Sequence, residues 1–323
     1  MSFAIKASLL LLVALVAGCS VLAEKRESTA REAYPPLGQV LDVDGTRVHA
    51  WVSGSGPDLV LIHGAGGNLR EFTFDLAGQL TDRYRVIAFD RPGHGWTDRL
   101  PGYGGLGSTK GESPMEQAAL LQKAAAKLGV ERPIVVGHSY GGAVALAWGL
   151  SQPEDTAALV TLGGVSNPWP GELDRLYKVT GSAVGGATVV PLITALAPEK
   201  RIDTAIASIF DPQDPPEGYI DYIGAELTLR REALRANGQQ VKSLRPHIVE
   251  MERQYATVLT MPLEIVHGTA DETVPIDVHA EKIVTQAPRA NLTRLPGIGH
   301  MPHHAARAET LAAIDRAAAR AGL

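Results

Sequence analysis

A serine lies between closely spaced glycines in the stretch "VVGHSYGGAVALAWGL", which begins at Val135. The residues before this serine are apolar and β-branched, as in a buried strand, and those after it favour a helix. Ser139 is therefore predicted at a sharp strand-to-helix turn, with Gly137 and Gly141 where larger side chains would collide with backbone. Such a turn presents the hydroxyl beside the amino end of a helix, which favours developing negative charge. The pattern indicates a nucleophilic serine.

A serine hydroxyl is a weak nucleophile and needs a general base. His300, one of ten histidines in the chain, follows directly after the last predicted strand, at the edge where Ser139 should emerge. Asp271 follows the preceding strand, and its carboxylate can accept a hydrogen bond from His300 and fix the histidine tautomer. Glu272 is a second carboxylate on the same loop. We expect Asp271 to be the partner.

Other histidines near these motifs are interpreted as structural. His63 and His138 each precede a turn that they help to shape, and His303 and His304 are expected to be ordinary polar or capping residues. These histidines lack tetrahedral-site spacing with cysteine or carboxylate partners, so no metal is predicted. Acyl transfer through a serine, a histidine and an aspartate requires no cofactor, and none is predicted.

Short apolar runs supply the strands that must position these groups. Near-continuous runs of this kind are typical of central parallel strands covered on both faces. They occupy residues 58–64, 84–90, 133–139, 157–164, 262–268 and 290–297. Helical stretches fall between them, the clearest opening with a capping box at Ser113 and closing at Gly129. This alternation predicts an α/β fold with a mostly parallel, doubly wound sheet.

Two further segments complete the predicted fold. Alternating runs joined at Asp44-Gly45 predict a hairpin before the parallel strands, and an alanine-rich amphipathic helix is expected over residues 308–322. Between the sixth and seventh strands the alternation breaks, and the apolar stretch there is interrupted by glycines and by Pro191. A membrane span at this point would split the sheet across a bilayer, so we predict a helical cap.

The amino-terminal sequence is typical of an export signal. Lys6 precedes an apolar run over residues 7–17, which is short for a bilayer span and ends in small residues. The stretch "VAGC" resembles the lipobox of bacterial lipoproteins, which implies cleavage before Cys19 and acylation of its sulfur. Ser20 resembles the residue found in lipoproteins of the outer membrane. The alternative is an ordinary signal peptide that leaves Cys19, the only cysteine, as a free thiol.

The chain of 323 residues is accordingly divided into four parts. We predict a signal peptide over residues 1–18, a polar tether over 19–38, a core over 39–164 and 259–323, and a cap over 165–258. The net charge of −5, with no basic stripe, excludes a nucleic-acid-binding surface.

Together these motifs resemble the α/β-hydrolase superfamily, over residues 40–323 apart from the insertion. The likeness rests on the chain order Ser139, Asp271, His300 and on "HGAGGN", which is similar to the HGxxG segment after the third strand. The resemblance implies that the backbone N–H groups of Ala65 and Tyr140 form an oxyanion hole.

A second loop supports the resemblance. "FDRPGHGWTD", beginning at Phe89, is similar to the family's D-x-x-G-x-G-x-S loop, with Thr97 where serine is usual. Within it Asp90, Arg91 and His94 are interpreted as scaffold residues.

These residues predict a serine hydrolase that cleaves small carboxylic esters with a hydrophobic portion, anchored to a bacterial membrane and exposed to the periplasm. Serine at the turn excludes relatives that open epoxides or displace halides with an aspartate. A meta-cleavage-type C–C bond hydrolase remains an alternative because of Arg230, Arg231 and Arg235 in the cap. A perhydrolase or haloperoxidase-like activity would use the same triad. A complete triad disfavours a non-catalytic binding protein.

Overall fold

The computed structural model describes residues 3–105 and 107–323, with side chains described from residue 18 onward. Over these residues eight strands form one sheet in the order β1-β2-β4-β3-β5-β6-β7-β8. The first two pairings, β1 with β2 and β2 with β4, are antiparallel, and all others are parallel. The strands are β1 (Gln39–Val43), β2 (Thr46–Ser53), β3 (Asp58–Ile62), β4 (Arg85–Phe89), β5 (Ile134–His138), β6 (Ala158–Leu162), β7 (Leu263–Gly268) and β8 (Ala290–Leu295). The predicted mostly parallel, doubly wound sheet is confirmed.

Helices cover both faces of this sheet. They are α1 (Phe3–Ala33), α2 (Arg70–Thr73), α3 (Pro114–Lys127), α4 (Tyr140–Ser151), α5 (Arg175–Thr180), α6 (Ala183–Leu196), α7 (Glu199–Ile209), α8 (Tyr219–Ile223), α9 (Ala225–Thr228), α10 (Arg231–Glu252), α11 (Tyr255–Val258), α12 (Ala280–Gln286), α13 (Pro302–Ala305) and α14 (Arg307–Ala321). Val60 and Ile62 face the core under α3, α4 and α12, whereas Leu59 and Leu61 face the core under α14. Burial on both faces explains why the central strands are almost entirely apolar.

The hairpin turn and the helix cap that were predicted from local sequence are both present in the structure. Asp44 and Gly45 adopt φ values of 53° and 82°, as a tight hairpin turn requires. At the start of α3, the Ser113 hydroxyl accepts a hydrogen bond from the Glu116 amide at 3.2 Å, and the Glu116 carboxylate accepts one from the Ser113 amide at 2.8 Å. This reciprocal pair is the predicted capping box.

The insertion between β6 and β7 is helical, as predicted, and comprises α5 to α11. Its apolar stretch is divided at Gly181, which follows the end of α5, and α6 begins two residues later at Ala183. A Cβ atom at Gly181 would lie 2.6 Å from the carbonyl oxygen of Gly238 on α10. Glycine at this position therefore permits close backbone contact between the two parts of the cap.

Residues 19–33 differ from the tether expected from their polar composition. They continue helix α1, which packs on α6 through a buried contact of Cys19 and Ala23 with Ala195. Arg26 donates hydrogen bonds to the carbonyl oxygens of Thr194 and Ala197 at 3.3 and 2.9 Å, at the end of α6. Arg26 and Glu27 are thus paired with the cap, which composition alone does not reveal.

The predicted signal peptide, residues 1–18, falls almost entirely on side chains outside the described set. Among the described residues, none of the helices combines the length and the apolar character that a membrane crossing requires.

Candidate active site

The turn from β5 into α4 is strained at Ser139. This residue has φ 52° and ψ −118°, and only one other non-glycine residue among those described has a positive φ. A Cβ atom at Gly137 would overlap the carbonyl oxygen of Gly141, and one at Gly141 would overlap that of Ile62. The Ser139 amide donates to the carbonyl oxygen of Leu162 at 3.0 Å, at the end of β6. Strand pairing and close packing therefore maintain the unfavourable conformation.

His300 and Asp271 meet at the same edge of the sheet. Nδ1 of His300 lies 2.7 Å from Oδ2 of Asp271, and the two residues are only 3% and 5% exposed. The other carboxylate oxygen of Asp271 accepts hydrogen bonds from the Thr273 and Val274 amides at 3.0 and 2.8 Å. Glu272, the alternative carboxylate, is exposed to solvent. The loop after β7 thus directs Asp271 towards His300.

Gly163, which the sequence analysis did not single out, packs against this pair. It has φ 53°, and a Cβ atom there would lie 3.2 Å from Asp271 Oδ2 and 3.3 Å from His300 Nδ1. A side chain at this position would therefore crowd the hydrogen bond between His300 and Asp271, and it would also strain the backbone. The available signal was the double glycine directly after the β6 apolar run.

The segment after β3 lies directly against Ser139. A Cβ atom at Gly64 would be 3.1 Å from Cβ of Ser139. The Gly66 amide donates to Oδ1 of Asn237 on α10 at 2.8 Å, and the Thr228 hydroxyl at the end of α9 donates to the Gly66 carbonyl oxygen at 2.5 Å. The cap therefore holds the segment that contains Ala65.

Four groups at this edge are free to interact with a substrate. Among the described residues, the Ser139 hydroxyl, Nε2 of His300 and the amides of Ala65 and Tyr140 make no hydrogen bond. Tyr140 is the first residue of α4, so its amide has no acceptor within the helix. The edge thus offers a hydroxyl, an imidazole nitrogen and two N–H donors.

The residues interpreted as scaffold do hold loops in place. His63 accepts a hydrogen bond from the Arg91 amide at 2.9 Å, and Asp90 accepts from the amides of Leu69 and Trp96, each at 2.7 Å. These bonds connect the loops that follow β3 and β4. They involve backbone donors and leave the catalytic candidates untouched.

Comparison with known proteins agrees with this architecture. A profile of the alpha/beta hydrolase family matches residues 59–314, which is most of the chain. The chain belongs to the alpha/beta hydrolase family. One relative is a 2-hydroxy-6-oxononadienedioate/2-hydroxy-6-oxononatrienedioate hydrolase of Burkholderia vietnamiensis, 27% identical over 282 residues that cover 80% of this chain and 86% of the relative.

Two solved structures share the fold of this alpha/beta hydrolase. An esterase from Rhodococcus sp. ECU1013 is 22% identical, with a TM-score of 0.63 over 85% of this chain and 97% of its own. A membrane phospholipase A, described as a bacterial virulence factor, is 21% identical, with a TM-score of 0.66 over 98% of this chain and 99% of its own. The second match extends over nearly the whole chain.

Behind the candidate triad of this alpha/beta hydrolase lies a buried carboxylate that the sequence analysis missed. Oε1 of Glu71, on α2, lies 2.6 Å from Nδ1 of His138 and 3.4 Å from Nε2 of His303. Its other oxygen accepts a long hydrogen bond of 3.4 Å from the Gly64 amide. Nε2 of His138 in turn donates to the carbonyl oxygen of His300 at 3.0 Å. Glu71 therefore connects three of the four segments that carry the candidate site, those after β3, β5 and β8.

Burial and ion pairing set the charge of this inner layer. Burial lowers the pKa of His138, but the Glu71 carboxylate outweighs that effect and raises it above the usual value. Burial raises the pKa of Glu71, but His138 and His303 outweigh it and hold that pKa well below the usual range. Burial together with the charge of His138 lowers the pKa of His303 to about 4. Glu71 and His138 thus form a buried ion pair.

Two residues of the candidate triad, His300 and Asp271, also have shifted pKa values. Burial lowers the pKa of His300, and although Asp271 opposes this, the neighbouring charge of His138 acts in the same direction as burial. Burial raises the pKa of Asp271, but hydrogen bonds with His267 and His300 outweigh it and lower the pKa overall. At neutral pH His300 is therefore a neutral base beside a charged carboxylate.

The spacing within the same cluster differs from that of a tetrahedral metal site. Potential ligand atoms of Glu71, His138 and His303 all lie within 4.8 Å of one another. Two ligands of one tetrahedral zinc ion are about 3.3 Å apart, because zinc–nitrogen distances are near 2.0 Å. The 2.6 Å separation between Glu71 and His138 is too short for that arrangement and fits an ion pair.

Glu71→Gln is expected to raise the pKa of His300. Without the carboxylate, the pKa of His138 falls, and the positive charge whose ring centroid lies 4.9 Å from that of His300 is lost. NMR titration of isotope-labelled histidines in the two proteins measures the shift. Glu264→Gln, which alters a buried carboxylate of β7 paired with Arg316 and Arg320, is the matched control and should leave the His300 pKa unchanged. An unchanged His300 pKa in Glu71→Gln would contradict the interpretation.

Proposed function

We propose that this chain hydrolyses carboxylic esters with a hydrophobic portion through an acyl-enzyme intermediate on Ser139. The observation that carries the proposal is the 2.7 Å contact between His300 and Asp271, at the sheet edge where the strained turn presents Ser139. The contact fixes the tautomer in which Nδ1 of His300 is protonated and Nε2 is a free base. Acyl transfer requires a free imidazole nitrogen within reach of a serine hydroxyl, and Ser139 follows β5 at the same edge of the sheet.

In the proposed mechanism, the Ser139 oxygen attacks the ester carbonyl carbon while Nε2 of His300 takes the hydroxyl proton. The carbonyl oxygen becomes an oxyanion, which the amides of Ala65 and Tyr140 stabilise. Collapse of this intermediate breaks the bond to the leaving alcohol, which receives the proton from His300. Water then attacks the acyl-enzyme by the same steps and releases the acid. Asp271 remains ionised throughout and stabilises the imidazolium.

The meta-cleavage alternative draws support from the Burkholderia vietnamiensis relative, named as a hydrolase of a 2-hydroxy-6-oxo dienedioate. That chemistry would favour an arginine near the serine, to hold a substrate carboxylate. The three cap arginines instead line a cavity whose walls include none of Ser139, Asp271 and His300. Their position therefore favours ester hydrolysis.

A panel of substrates assayed with the purified chain distinguishes these alternatives. It contains short and medium p-nitrophenyl esters, a meta-cleavage diketone, and a peroxide-dependent halogenation assay for the perhydrolase or haloperoxidase-like activity. A phospholipid is included because of the fold shared with a membrane phospholipase A.

We also propose that the chain is exported and held on a bacterial membrane, in the outer membrane facing the periplasm, by acylation of Cys19. Two features support this proposal. The stretch "VAGC" follows an apolar run, and apolar side chains on α1 and the nearby cap helices face solvent. These exposed side chains are Val21, Leu22, Leu176, Val179, Val184, Leu192 and Leu196.

Ser139→Ala and His300→Ala are expected to lower kcat for ester hydrolysis by on the order of 10⁴–10⁶-fold, with a smaller loss for Asp271→Asn. The first two remove the nucleophile and the base, whereas the third removes only the charge that orients the base. Release of p-nitrophenol by the purified chain measures the effect. The control Ser113→Ala removes the cap of α3 and should cost about 1 kcal/mol of stability without changing kcat. Turnover near the wild-type rate in Ser139→Ala would refute the proposal.

The pH dependence of kcat/KM should have its acid limb below the usual histidine pKa. Protonated His300 cannot accept the serine proton, so activity falls as the pH decreases through the His300 pKa, which burial lowers. Rates measured with one p-nitrophenyl ester across acidic pH locate this limb. A limb above the usual histidine value would show that His300 is not the titrating base.

Cys19→Ala is expected to leave the chain unacylated and to release it from the membrane fraction. The substitution keeps a small apolar side chain against Ala195, so the docking of α1 on α6 should persist. Fractionation of cells and mass spectrometry of the amino-terminal peptide measure both effects. Unchanged membrane fractionation of the variant would exclude lipidation at Cys19 as the anchor.

A further inference from the structure

A cavity separate from the candidate triad lies between α1, α10 and the loop that follows β4. Its volume is about 420 Å³, and its walls include Glu27 of α1, Trp96 of the loop and Ala233 of α10. A volume of this size is within the range of small-molecule binding sites. The triad and the oxyanion candidates are absent from its walls, so the proposed ester hydrolysis does not explain it.

Arginines dominate the walls of this cavity. The described lining contains six of them: Arg31, Arg47, Arg99, Arg230, Arg231 and Arg235. Four have a carboxylate within 4.0 Å: Arg31 and Arg231 pair with Glu27, Arg47 with Asp98, and Arg99 with Glu112. Arg230 and Arg235 pair with no carboxylate of the described residues.

The two unpaired guanidinium groups use few of their donors. Arg230 donates to the carbonyl oxygens of Leu227, at 2.9 Å, and Gly95, and its guanidinium lies 5.8 Å from the centre of the Trp96 ring. Arg235 donates to the carbonyl oxygen of Gly105, and its Nε is buried without a hydrogen-bond partner among the described residues. Since a guanidinium carries five N–H groups, both retain donors for a ligand.

The surroundings make these positive charges costly. Burial and the nearby charge of Arg31 lower the pKa of Arg230, while burial and Arg99 lower that of Arg235. Asp90, Glu27 and Glu232 oppose the shift of Arg230, and Glu232 opposes that of Arg235, but burial outweighs these carboxylates. A charge that is only partly compensated in such a site destabilises the empty protein, and an anion placed between the two groups would reduce that cost. The cavity therefore has both the volume and the charge to bind an anion.

We propose that this cavity binds an organic phosphate monoester, with the phosphate between Arg230 and Arg235. A phosphate monoester carries a charge of about −1.5 to −2 at neutral pH, which matches two unpaired guanidinium groups. A carboxylate would neutralise only one of them. The cavity is larger than phosphate alone requires, so the organic portion of the ligand occupies the remaining volume beside Trp96 and Ala233.

The test is a binding titration of the full-length chain in detergent. The probes are glycerol 3-phosphate, inorganic phosphate, and phosphatidic acid in mixed micelles, with diacylglycerol micelles as the uncharged comparison. Calorimetry gives the affinity. The part of the tryptophan fluorescence change that is lost in Trp96→Phe reports occupancy, because the Arg230 guanidinium lies 5.8 Å from the centre of the Trp96 ring. Binding of glycerol 3-phosphate identifies a soluble source for the ligand, whereas binding of phosphatidic acid alone identifies a lipid headgroup.

Matched variants locate the site. The double variant Arg230→Gln with Arg235→Gln is expected to weaken binding at least about tenfold, because charge-assisted hydrogen bonds are lost. Arg47→Gln lines the same cavity but removes an exposed arginine already paired with Asp98, and should change the affinity much less. Circular dichroism checks folding, and the single variant Arg235→Gln replaces the double variant should the latter unfold. Failure of the wild type to bind any probe, or equal affinity in the arginine variants, overturns the proposal.

Discussion

The hydrogen bond between His300 and Asp271 is the interaction on which the site depends. Its two residues come from loops after adjacent parallel strands, so the sheet sets their separation before any side chain is considered. Gly163, after the neighbouring strand β6, leaves the space in which they meet. At the end of the same strand, the carbonyl oxygen of Leu162 accepts a hydrogen bond from the Ser139 amide. One edge of the sheet therefore determines the relative positions of all three candidate residues.

A second layer beneath that edge supplies rigidity and charge. Glu71 and His138 form an ion pair that connects the loops after β3, β5 and β8. Buried pairs of this type contribute little net stability, because desolvation offsets their attraction. Their value here lies in fixing the loops and in placing a positive charge next to His300, which lowers its pKa and helps to keep its imidazole neutral.

Much of this arrangement follows from local sequence. Strand cores such as Val60 and Leu61 are apolar on both faces, and Ser113 and Asp44 occur where caps and turns need them, so the elements and their order could be predicted. Glu71 could not, because an acidic residue in a short helix usually faces water, and only the fold brings it to His138. The docking of residues 19–33 was missed for a similar reason: Arg26 donates hydrogen bonds to carbonyl groups of the cap, which are distant in the sequence.

The hydrogen bonds between the cap and Gly66 link the cap to the candidate site. Asn237 and Thr228 belong to the cap, yet they bond the backbone next to Ala65. A displacement of the cap that breaks these two bonds would release the backbone beside Ala65, the candidate oxyanion donor. The position of the cap and the position of this backbone segment are therefore coupled.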